Sequence, residues 1–430
     1  MGNLSAAVPP ARAFEPAAPR SIEETGLPLL FLADLALKIL YNSGSLTGLQ
    51  MADRLKLPFN SCVDQVMEHL KRELMVEVRG GGGFGEQGYQ YTIATKGREK
   101  AHEALDRSQY AGAAPVPLAR YIEAMHRQSL KGFHVTQSQM HQSLSHMVLN
   151  DRVLSQIGPA VNSGRSIFLY GPPGDGKTTI AEAVGRMLLT TELIVPYAVE
   201  VDGTVIKIFD EANHQRSETQ TGAIKNRDPR WIKIQRPVIM TGGELTLETL
   251  DLVWDDVRKY YEAPYQMKAN GGMFLIDDFG RQQVRPRDLL NRWIVPLEKR
   301  VDYLTLHTGR KIEIPFDVLI VFSTNLAPRD LVDEAFLRRI RHKIEVGDPD
   351  FEEYIEIFKR VAAAKKMQYD ERALGYLIQE YYIKPRRRLR AVHPRDLIEQ
   401  MVDISRYLNV PMTITKELID QACAAYFVEL

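Results

Sequence analysis

The sequence predicts an α/β protein with a parallel-sheet core, an N-terminal α+β domain and a C-terminal helical domain. Three apolar, β-prone runs at residues 167–170, 273–276 and 318–322 predict buried strands in the middle of the chain. Towards its end the chain carries amphipathic runs at helical spacing, at residues 350–365, 370–382, 394–408 and 416–427. Strands followed by a block of helices favour a sheet-containing core and a separate helical domain.

The composition is that of an ordinary globular protein of 430 residues, long enough for roughly three domains. Lys and Arg together number 55, and so do Asp and Glu, so no overall basic field favours nucleic acid. Cys62 and Cys423 lack metal-ligand spacing and are expected to be small buried hydrophobes in a reducing cytosol. No apolar run has membrane-spanning length, and residues 1–20 lack the apolar core of a signal peptide. We therefore expect a cytoplasmic protein whose first 20 residues are a disordered tail.

Residues 21–108 predict a compact domain of helices and a β-hairpin. The pattern gives helices, then strands around a glycine-rich tip, then a last helix, with the helices at residues 27–41, 49–55, 57–74 and 95–105 and the strands at 75–78 and 89–93. A turn is expected at residues 44–47. This order resembles a winged-helix domain over the whole segment.

Winged-helix domains bind either DNA or proteins, and the charges here favour a protein. The helix that would read DNA carries Asp64, Glu68 and Glu73 against two cations, and the hairpin tip contains Glu86 and no Lys or Arg. Contact with phosphates favours a clear cationic excess. We therefore favour protein docking and keep DNA binding as the alternative.

A complete phosphate-binding loop follows the first apolar run of the core. The motif G-x-x-x-x-G-K-[ST] is filled by Gly171, Pro172, Pro173, Gly174, Asp175, Gly176, Lys177 and Thr178. These residues, and Thr179, where a helical pattern starts, are predicted to bind the nucleotide. The glycines allow the backbone N–H groups to converge on a phosphate at a helix N-terminus. Lys177 is expected to reach the β- and γ-phosphates, and Thr178 to hold Mg²⁺. The sequence therefore predicts binding of a nucleoside triphosphate, with ATP and Mg²⁺ as cofactors.

The second apolar run ends in Asp277 and Asp278, which is the Walker B arrangement of a metal-binding carboxylate followed by a water-orienting one. With these motifs, residues 131–430 resemble AAA+ ATPases, and residues 269–281 are similar to the Walker B surroundings of MoxR-type ATPases and bacterial enhancer-binding activators. The usual family pair is Asp-Glu. Asp278 is shorter than glutamate by one C–C bond, which puts the rate of hydrolysis in doubt.

Further residues match family positions in the expected order, and the resemblance implies their roles. Asn325 matches the sensor 1 residue that orients the attacking water. Arg339, or as second choice Arg338, matches the arginine finger that reaches a neighbouring subunit's γ-phosphate. Arg395 matches the sensor 2 cation, and Arg281 an arginine at the subunit boundary. Residues of these types, taken singly, usually lie on solvated surfaces; their order after a complete loop motif favours the functional interpretation.

The resemblance also divides the chain: a linker and helix at residues 109–130, an ATPase core at 131–346 and a helical lid at 347–430. A hairpin predicted at residues 301–317 is typical of the pre-sensor 1 insertion group, in which it often faces a central pore. Three tyrosines precede the Walker B strand, and the sequence leaves open a pore role or a core role for them: Tyr260, Tyr261 and Tyr265. Aromatic residues at this spacing are more often in the core, so we favour a core role. A β-rich excursion is expected around residues 195–235.

The resemblance implies Mg²⁺-dependent ATP hydrolysis by a ring oligomer, expected to be a hexamer, that remodels or assembles a protein partner recruited by the N-terminal domain. One alternative is a DNA-associated ATPase of the initiator or transposition-helper type, which would use the winged helix. The other is a nucleotide-gated scaffold with slow turnover, which the short carboxylate of Asp278 permits.

Overall fold

The computed structural model describes residues 14–81, 86–218, 226–331, 337–368 and 371–427. Within these residues, no helix has both the length and the apolar character needed to cross a bilayer. Both cysteines are free and buried, as expected.

The N-terminal part is a helical unit on a three-stranded antiparallel sheet of order β1-β3-β2. Its elements are α1 (Ile22–Thr25), α2 (Leu29–Ser43), β1 (Ser45–Thr47), α3 (Gly48–Leu55), α4 (Asp64–Arg72), β2 (Val76–Gly81), β3 (Tyr89–Ile93) and α5 (Thr95–Arg107). A π-helical turn at Phe59–Val63 precedes α4. Residues 45–47, predicted as a turn, form a strand instead, because Leu46 pairs opposite Tyr91 and both side chains are buried.

The middle of the chain contributes most of the strands. In chain order its elements are β4 (Val116–Pro117), α6 (Leu118–Arg127), α7 (Gln137–Leu144), α8 (Asp151–Asn162), β5 (Ile167–Tyr170), α9 (Lys177–Leu189), β6 (Glu192–Pro196), β7 (Ala198–Val201), β8 (Thr204–Lys207), β9 (Trp231–Gln235), β10 (Val238–Thr241), β11 (Val253–Trp254), β12 (Tyr261–Glu262), α10 (Tyr265–Lys268), β13 (Met273–Ile276), α11 (Pro286–Arg292), α12 (Ile294–Lys299), β14 (Val301–Thr305), β15 (Lys311–Pro315), β16 (Leu319–Thr324), α13 (Pro328–Leu331) and β17 (His342–Glu345). The C-terminal helices are α14 (Phe351–Ala364), α15 (Glu371–Ile378), α16 (His393–Leu408) and α17 (Lys416–Tyr426).

The predicted parallel-sheet α/β core is confirmed. Five strands in the order β10-β13-β16-β5-β17 are all parallel to their neighbours. Every residue of β13 and β16 is buried, because the sheet is covered on both faces. Ile180 and Val184 of α9 pack in one hydrophobic cluster with sheet residues, and Phe279 and Trp293 pack in another.

The middle of the chain also forms a second, β-rich unit beside this core. It consists of the mixed sheet β11-β12-β8-β7-β4, the pair β6-β9 and the hairpin β14-β15, and their apolar side chains share one hydrophobic cluster. The predicted excursion around residues 195–235 supplies β6 to β9. We call the whole assembly the β unit.

The N-terminal boundaries differ from the prediction, because residues predicted as tail and linker are packed. Phe14 lies edge-on against Trp231 with ring centroids 5.6 Å apart, so the predicted tail of residues 1–20 is ordered from residue 14 onward; residues 1–13 lie outside the described part. In the predicted linker, Tyr110 is buried, and β4 pairs with β7. Ala198 and Val205 of the β unit belong to the hydrophobic cluster of the N-terminal unit. The two units therefore share a continuous core.

A buried ion pair lies where these segments meet. The side chains of Arg230 and Asp228 are both fully buried, and the guanidinium Nη2 lies 2.8 Å from the carboxylate. Arg230 also donates to the carbonyls of Thr25 (2.8 Å) and Pro115 (3.2 Å), and the Asp228 N–H donates to the carbonyl of Pro16. The pair thus connects four parts of the chain: the segment around Pro16, the N-terminal unit, the segment predicted as a linker, and the β unit.

Replacing one partner of this pair should destabilise the protein strongly. Arg230→Ala leaves a buried carboxylate and two carbonyls without their donor, so the free energy of unfolding should fall by about 3–5 kcal/mol. The matched control is Arg258→Ala, which removes an exposed ion pair with Asp255 and should cost about 1 kcal/mol or less. Urea midpoints of the three proteins measure both effects, and equal midpoints for the two variants would contradict the assignment.

Candidate nucleotide-binding site

The glycine-rich loop lies at the carboxyl edge of the parallel sheet, between β5 and α9. Strand β5 is flanked by β16 and β17, both parallel to it, and the polar residues that follow β13 and β16 lie at the same edge. In open α/β sheets, ligands bind at the carboxyl ends of the strands, next to the point where the strand order reverses. The fold therefore places the predicted loop where a ligand site is expected.

The start of the loop is fixed by a close approach of two backbones. Gly171 has φ +148°, and a Cβ atom there would lie 2.0 Å from the carbonyl oxygen of Val346, the residue after β17. Gly176, at φ +87°, is the last residue before α9 begins. Only glycine fits at residue 171, and the loop backbone leads directly into the N-terminus of a helix, where orphan N–H groups favour an anion.

Lys177 is held over the loop. Its side chain is buried, and Nζ donates to the carbonyls of Gly171 (3.0 Å) and Pro172 (2.5 Å). Burial lowers the pKa of the ammonium, and the nearby carboxylates of Asp175 and Asp277 oppose that shift. A cation that is partly desolvated in this way interacts strongly with a phosphate.

Thr178 and Asp277 form a compact pair of oxygen ligands. The Thr178 hydroxyl lies 3.0 Å from both carboxylate oxygens of Asp277, so the start of α9 and the end of β13 are in direct contact. One hydroxyl and one carboxylate suit Mg²⁺, which uses few protein oxygens and completes its shell with water and phosphate. Among the described residues there is no cluster of three or more His, Cys, Asp or Glu side chains that could hold a metal ion.

Asp278 lies in an unusual backbone conformation. Its φ is +47°, in the left-handed region, and its side chain is exposed towards the cavity. The amide of Asn325 lies 3.4 Å from its carboxylate, so these two predicted catalytic residues are neighbours. The turn is tied to β16 by the N–H of Phe279, which donates to the carbonyl of Ser323 at 2.7 Å.

These residues line one cavity of about 580 Å³, a size suited to a nucleotide. Of the predicted site residues, those that line the cavity are the loop from Pro173 to Thr179, Asp277, Asp278, Asn325 and Arg395. Other walls come from segments that carry no motif: residues 146–149, before α8, and Ile357, Arg360 and Val361 of α14. Sequence reasoning missed these walls, because an apolar contact to a ligand looks like any other apolar residue of a loop or helix.

Asp175, one of the predicted nucleotide-binding residues, also connects the loop to the helical domain, a contact that the sequence did not indicate. It is buried and accepts the N–H of Ala391 at 3.1 Å, while Arg390 donates to the carbonyl of Pro173 at 2.9 Å. Burial raises the pKa of the Asp175 carboxyl to about 6, and the neighbouring Asp348 carboxylate adds to the shift. The helical domain is thereby held against the loop.

The predicted arginines are distributed differently. Arg395 lines the cavity, and its largely exposed side chain pairs with Asp396. Arg338 and Arg339 do not line the cavity; Nε of Arg339 lies 2.5 Å from the Glu298 carboxylate. Arg281 is exposed and likewise outside the cavity lining. Residues 332–336, the first part of the predicted finger segment, lie outside the described residues.

The hairpin β14-β15 forms as predicted, and its tip contacts the mixed sheet β11-β12-β8-β7-β4 of the same chain. His307 stacks on Trp254 with ring centroids 4.1 Å apart and hydrogen-bonds to the Tyr261 hydroxyl, and Arg310 pairs with Asp202. The tip therefore contacts other strands of the same chain, and its pore-facing position stays a prediction.

The three tyrosines considered as pore residues are packed against other rings. Tyr261 is buried, Tyr260 contacts Tyr110, and Tyr265 contacts Phe274 of the sheet. The core role that we favoured for them is the one observed.

The fold and the site define an α/β protein with a phosphate-loop site at the edge of its sheet. A family model described as "Domain of unknown function (DUF8689)" matches residues 350–425, which is the helical domain. No curated protein matches the chain.

Among solved structures, NtrX from Brucella abortus in complex with ADP is 14% identical with a TM-score of 0.40, over 75% of this chain and 65% of that chain. NtrX in complex with ATP is 14% identical with a TM-score of 0.36, over 83% and 63%. A RuvB mutant from Thermotoga maritima is 14% identical with a TM-score of 0.36, over 70% and 74%. The chain thus spans less than two thirds of the NtrX chains, and similarity of this size assigns neither a family nor a function.

Protonation of Asp175 should make stability depend on pH. A carboxyl whose folded pKa is raised from 3.8 to about 6 favours the folded state while it is protonated, and this contribution is lost as pH rises through 6. Asp175→Asn is neutral at every pH and removes this loss. The free energy of unfolding of the nucleotide-free protein should therefore decline relative to the variant between about pH 4 and pH 6.5, by roughly 1–3 kcal/mol. Parallel stability profiles for the two proteins would contradict the raised pKa.

Proposed function

We propose that this protein is a Mg²⁺-dependent ATPase of the AAA+ type. The observation that carries the proposal is the convergence of three pairs in one cavity: Lys177 with the loop carbonyls, Thr178 with Asp277, and Asp278 with Asn325. The pairs come from the start of α9 and from the ends of β13 and β16, at one edge of the sheet. Each suits a different part of a nucleoside triphosphate and its metal.

In this proposal the residues divide the work by position. The loop N–H groups and Lys177 bind the β- and γ-phosphates, and Thr178 and Asp277 hold Mg²⁺. The metal, when bound, neutralises charge on the phosphates. Asp278 accepts a proton from the attacking water, and Asn325, at 3.4 Å from that carboxylate, fixes the water's orientation. Arg395 approaches the nucleotide from the helical lid.

The proposal includes a ring, most simply a hexamer. Arg338 and Arg339 do not line the cavity of their own chain, which is compatible with the proposed role at a neighbouring subunit's γ-phosphate. Closed homo-oligomers bring the same residue to every site by symmetry.

We further propose that the N-terminal unit docks a protein partner, which the ATPase remodels or assembles in the cytoplasm. A hydrogen bond that the protonated Glu86 carboxyl donates to Asp64, together with the negative charges of Asp64 and Glu68, raises the pKa of Glu86, so acidic side chains of α4 and of the hairpin lie close together. Such a surface repels phosphates, which disfavours the alternative of a winged helix on duplex DNA. The slow-turnover scaffold is the second alternative, and the short side chain of Asp278 favours it.

Two substitutions test the chemistry. Lys177→Ala should abolish ATP binding, because the phosphates lose their cation, whereas Asp278→Asn should bind ATP with unchanged affinity and lose turnover by about 100-fold or more. The exposed Lys100→Ala is the control. Isothermal titration with ATP and Mg²⁺ measures affinity, and single-turnover hydrolysis measures the chemical step. If Lys177→Ala binds ATP with the parental affinity, the assignment of the phosphate-binding site is wrong. If Asp278→Asn hydrolyses ATP at the parental rate, Asp278 is not the general base. Slow single turnover by the parent itself would favour the scaffold.

Assembly is tested by mixing inactive subunits. Arg339→Ala and Lys177→Ala should each be nearly inactive alone, and their mixture should regain part of the hydrolysis rate. A mixed interface pairs an intact arginine with an intact loop. Arg341→Ala, an exposed neighbour, should stay active and serves as the control. Full activity of a dilute monomer, or of Arg339→Ala by itself, would contradict the arginine-finger assignment.

A further inference from the structure

On one side, the turn that carries both candidate carboxylates is hydrogen-bonded by the side-chain amide of Gln282. The Gly280 N–H donates to Oε1 of Gln282 at 2.8 Å. The same side chain donates through Nε2 to the carbonyl of Asp277 at 2.8 Å and to that of Asp278 at 3.3 Å. Gln282 therefore contacts the backbone on both sides of Asp278 while its own side chain lies outside the cavity lining.

This turn needs such support because its backbone is unfavourable. Asp278 has φ +47° and Gly280 has φ +109°. A left-handed residue other than glycine is strained and persists only when its surroundings hold it. An aspartate adopts this region more readily than most residues, yet the direction of its carboxylate still follows the backbone.

The opposite side of the turn is fixed by β16. The Thr324 hydroxyl donates to the carbonyl of Phe279 at 2.7 Å, and the Phe279 N–H donates to Ser323. These bonds hold the residue after Asp278. The Asp277 carbonyl accepts the Gln282 amide at 2.8 Å, whereas the Asp278 carbonyl accepts it at 3.3 Å together with the Arg281 N–H at 2.9 Å. The orientation of the peptide between Asp277 and Asp278 therefore depends on Gln282.

We propose that Gln282 is a positioning residue for hydrolysis: it fixes the left-handed turn that aims the Asp278 carboxylate at the attacking water. This inference rests on the proposed ATPase function. Gln282 acts through the backbone and touches no substrate, so it governs the rate of the chemical step and leaves ATP affinity to the loop and Lys177.

Gln282→Ala tests this role. The hydrolysis rate in single turnover should fall about 10- to 100-fold, the size of effect expected when a reacting group is displaced by about 1 Å. The Kd for ATP should stay within about twofold, because the phosphate contacts are untouched. Gln282→Met, which keeps the side-chain length, should behave alike, and the exposed Gln283→Ala should match the parent. Melting temperatures with bound ATP show whether each variant is folded.

The decisive measurement combines the variant with Asp278→Asn. If Gln282 acts through Asp278, adding Gln282→Ala to Asp278→Asn should lower the residual single-turnover rate by less than about twofold. A turn that only stabilises the fold would instead give the full loss in both backgrounds, together with a lower melting temperature. That result, or parental turnover of both Gln282 variants, would overturn the inference.

The proposed function can fail separately. If Asp278→Asn hydrolyses ATP at the parental rate, the ATPase assignment of Asp278 is wrong and Gln282 loses its role with it. If Asp278→Asn is impaired and the Gln282 variants are not, only the role of Gln282 is wrong.

Discussion

The contact of Gly171 with the carbonyl of Val346 is the constraint on which the site depends. Strands β5 and β17 continue to pair beyond their ends, with the Val346 N–H bonded to the Tyr170 carbonyl at 2.8 Å, and they leave no room for a Cβ atom where the loop begins. The chain then passes from β17 into the helical domain, which returns to the loop through Arg390 and Ala391. The loop is therefore bounded by the sheet below and the helical domain above. Movement of one relative to the other must alter the cavity between them.

The β unit connects this site to the N-terminal unit. Strand β16 begins shortly after the hairpin β14-β15 and ends at the residues that contact the Asp278 turn. The tip of the hairpin packs on the mixed sheet of the β unit through stacked rings. The β unit in turn shares its core with the N-terminal unit and the buried pair Asp228–Arg230. A continuous series of packed elements thus runs from the candidate catalytic carboxylate to the surface that we propose for docking.

Much of the site followed from local sequence, and most of what was missed is non-local. The loop, the strand β13 with its two carboxylates, and the helices of the C-terminal domain have patterns that need only a few neighbouring residues. The strands β4, β11 and β12 are two residues long, which is too short for any periodicity, and they exist because a partner strand is available. Similarly, no pattern around Asp175 indicated that Ala391 would donate to it across more than 200 positions. The packing of Phe14 and Val116 depended on apolar surfaces that the assembled β unit provides.

The left-handed backbone at Asp278 bears on how this site changes over generations. Aspartate and glutamate codons differ by a single base, so a longer carboxylate is always genetically close. Glutamate lacks the short polar side chain that makes aspartate comparatively tolerant of positive φ. A lineage moving towards glutamate would therefore have to remodel the turn, including the neighbourhood of Gln282, before the longer side chain brought an advantage. Backbone conformation, more than the supply of mutations, then limits the chemistry that selection can reach at this position.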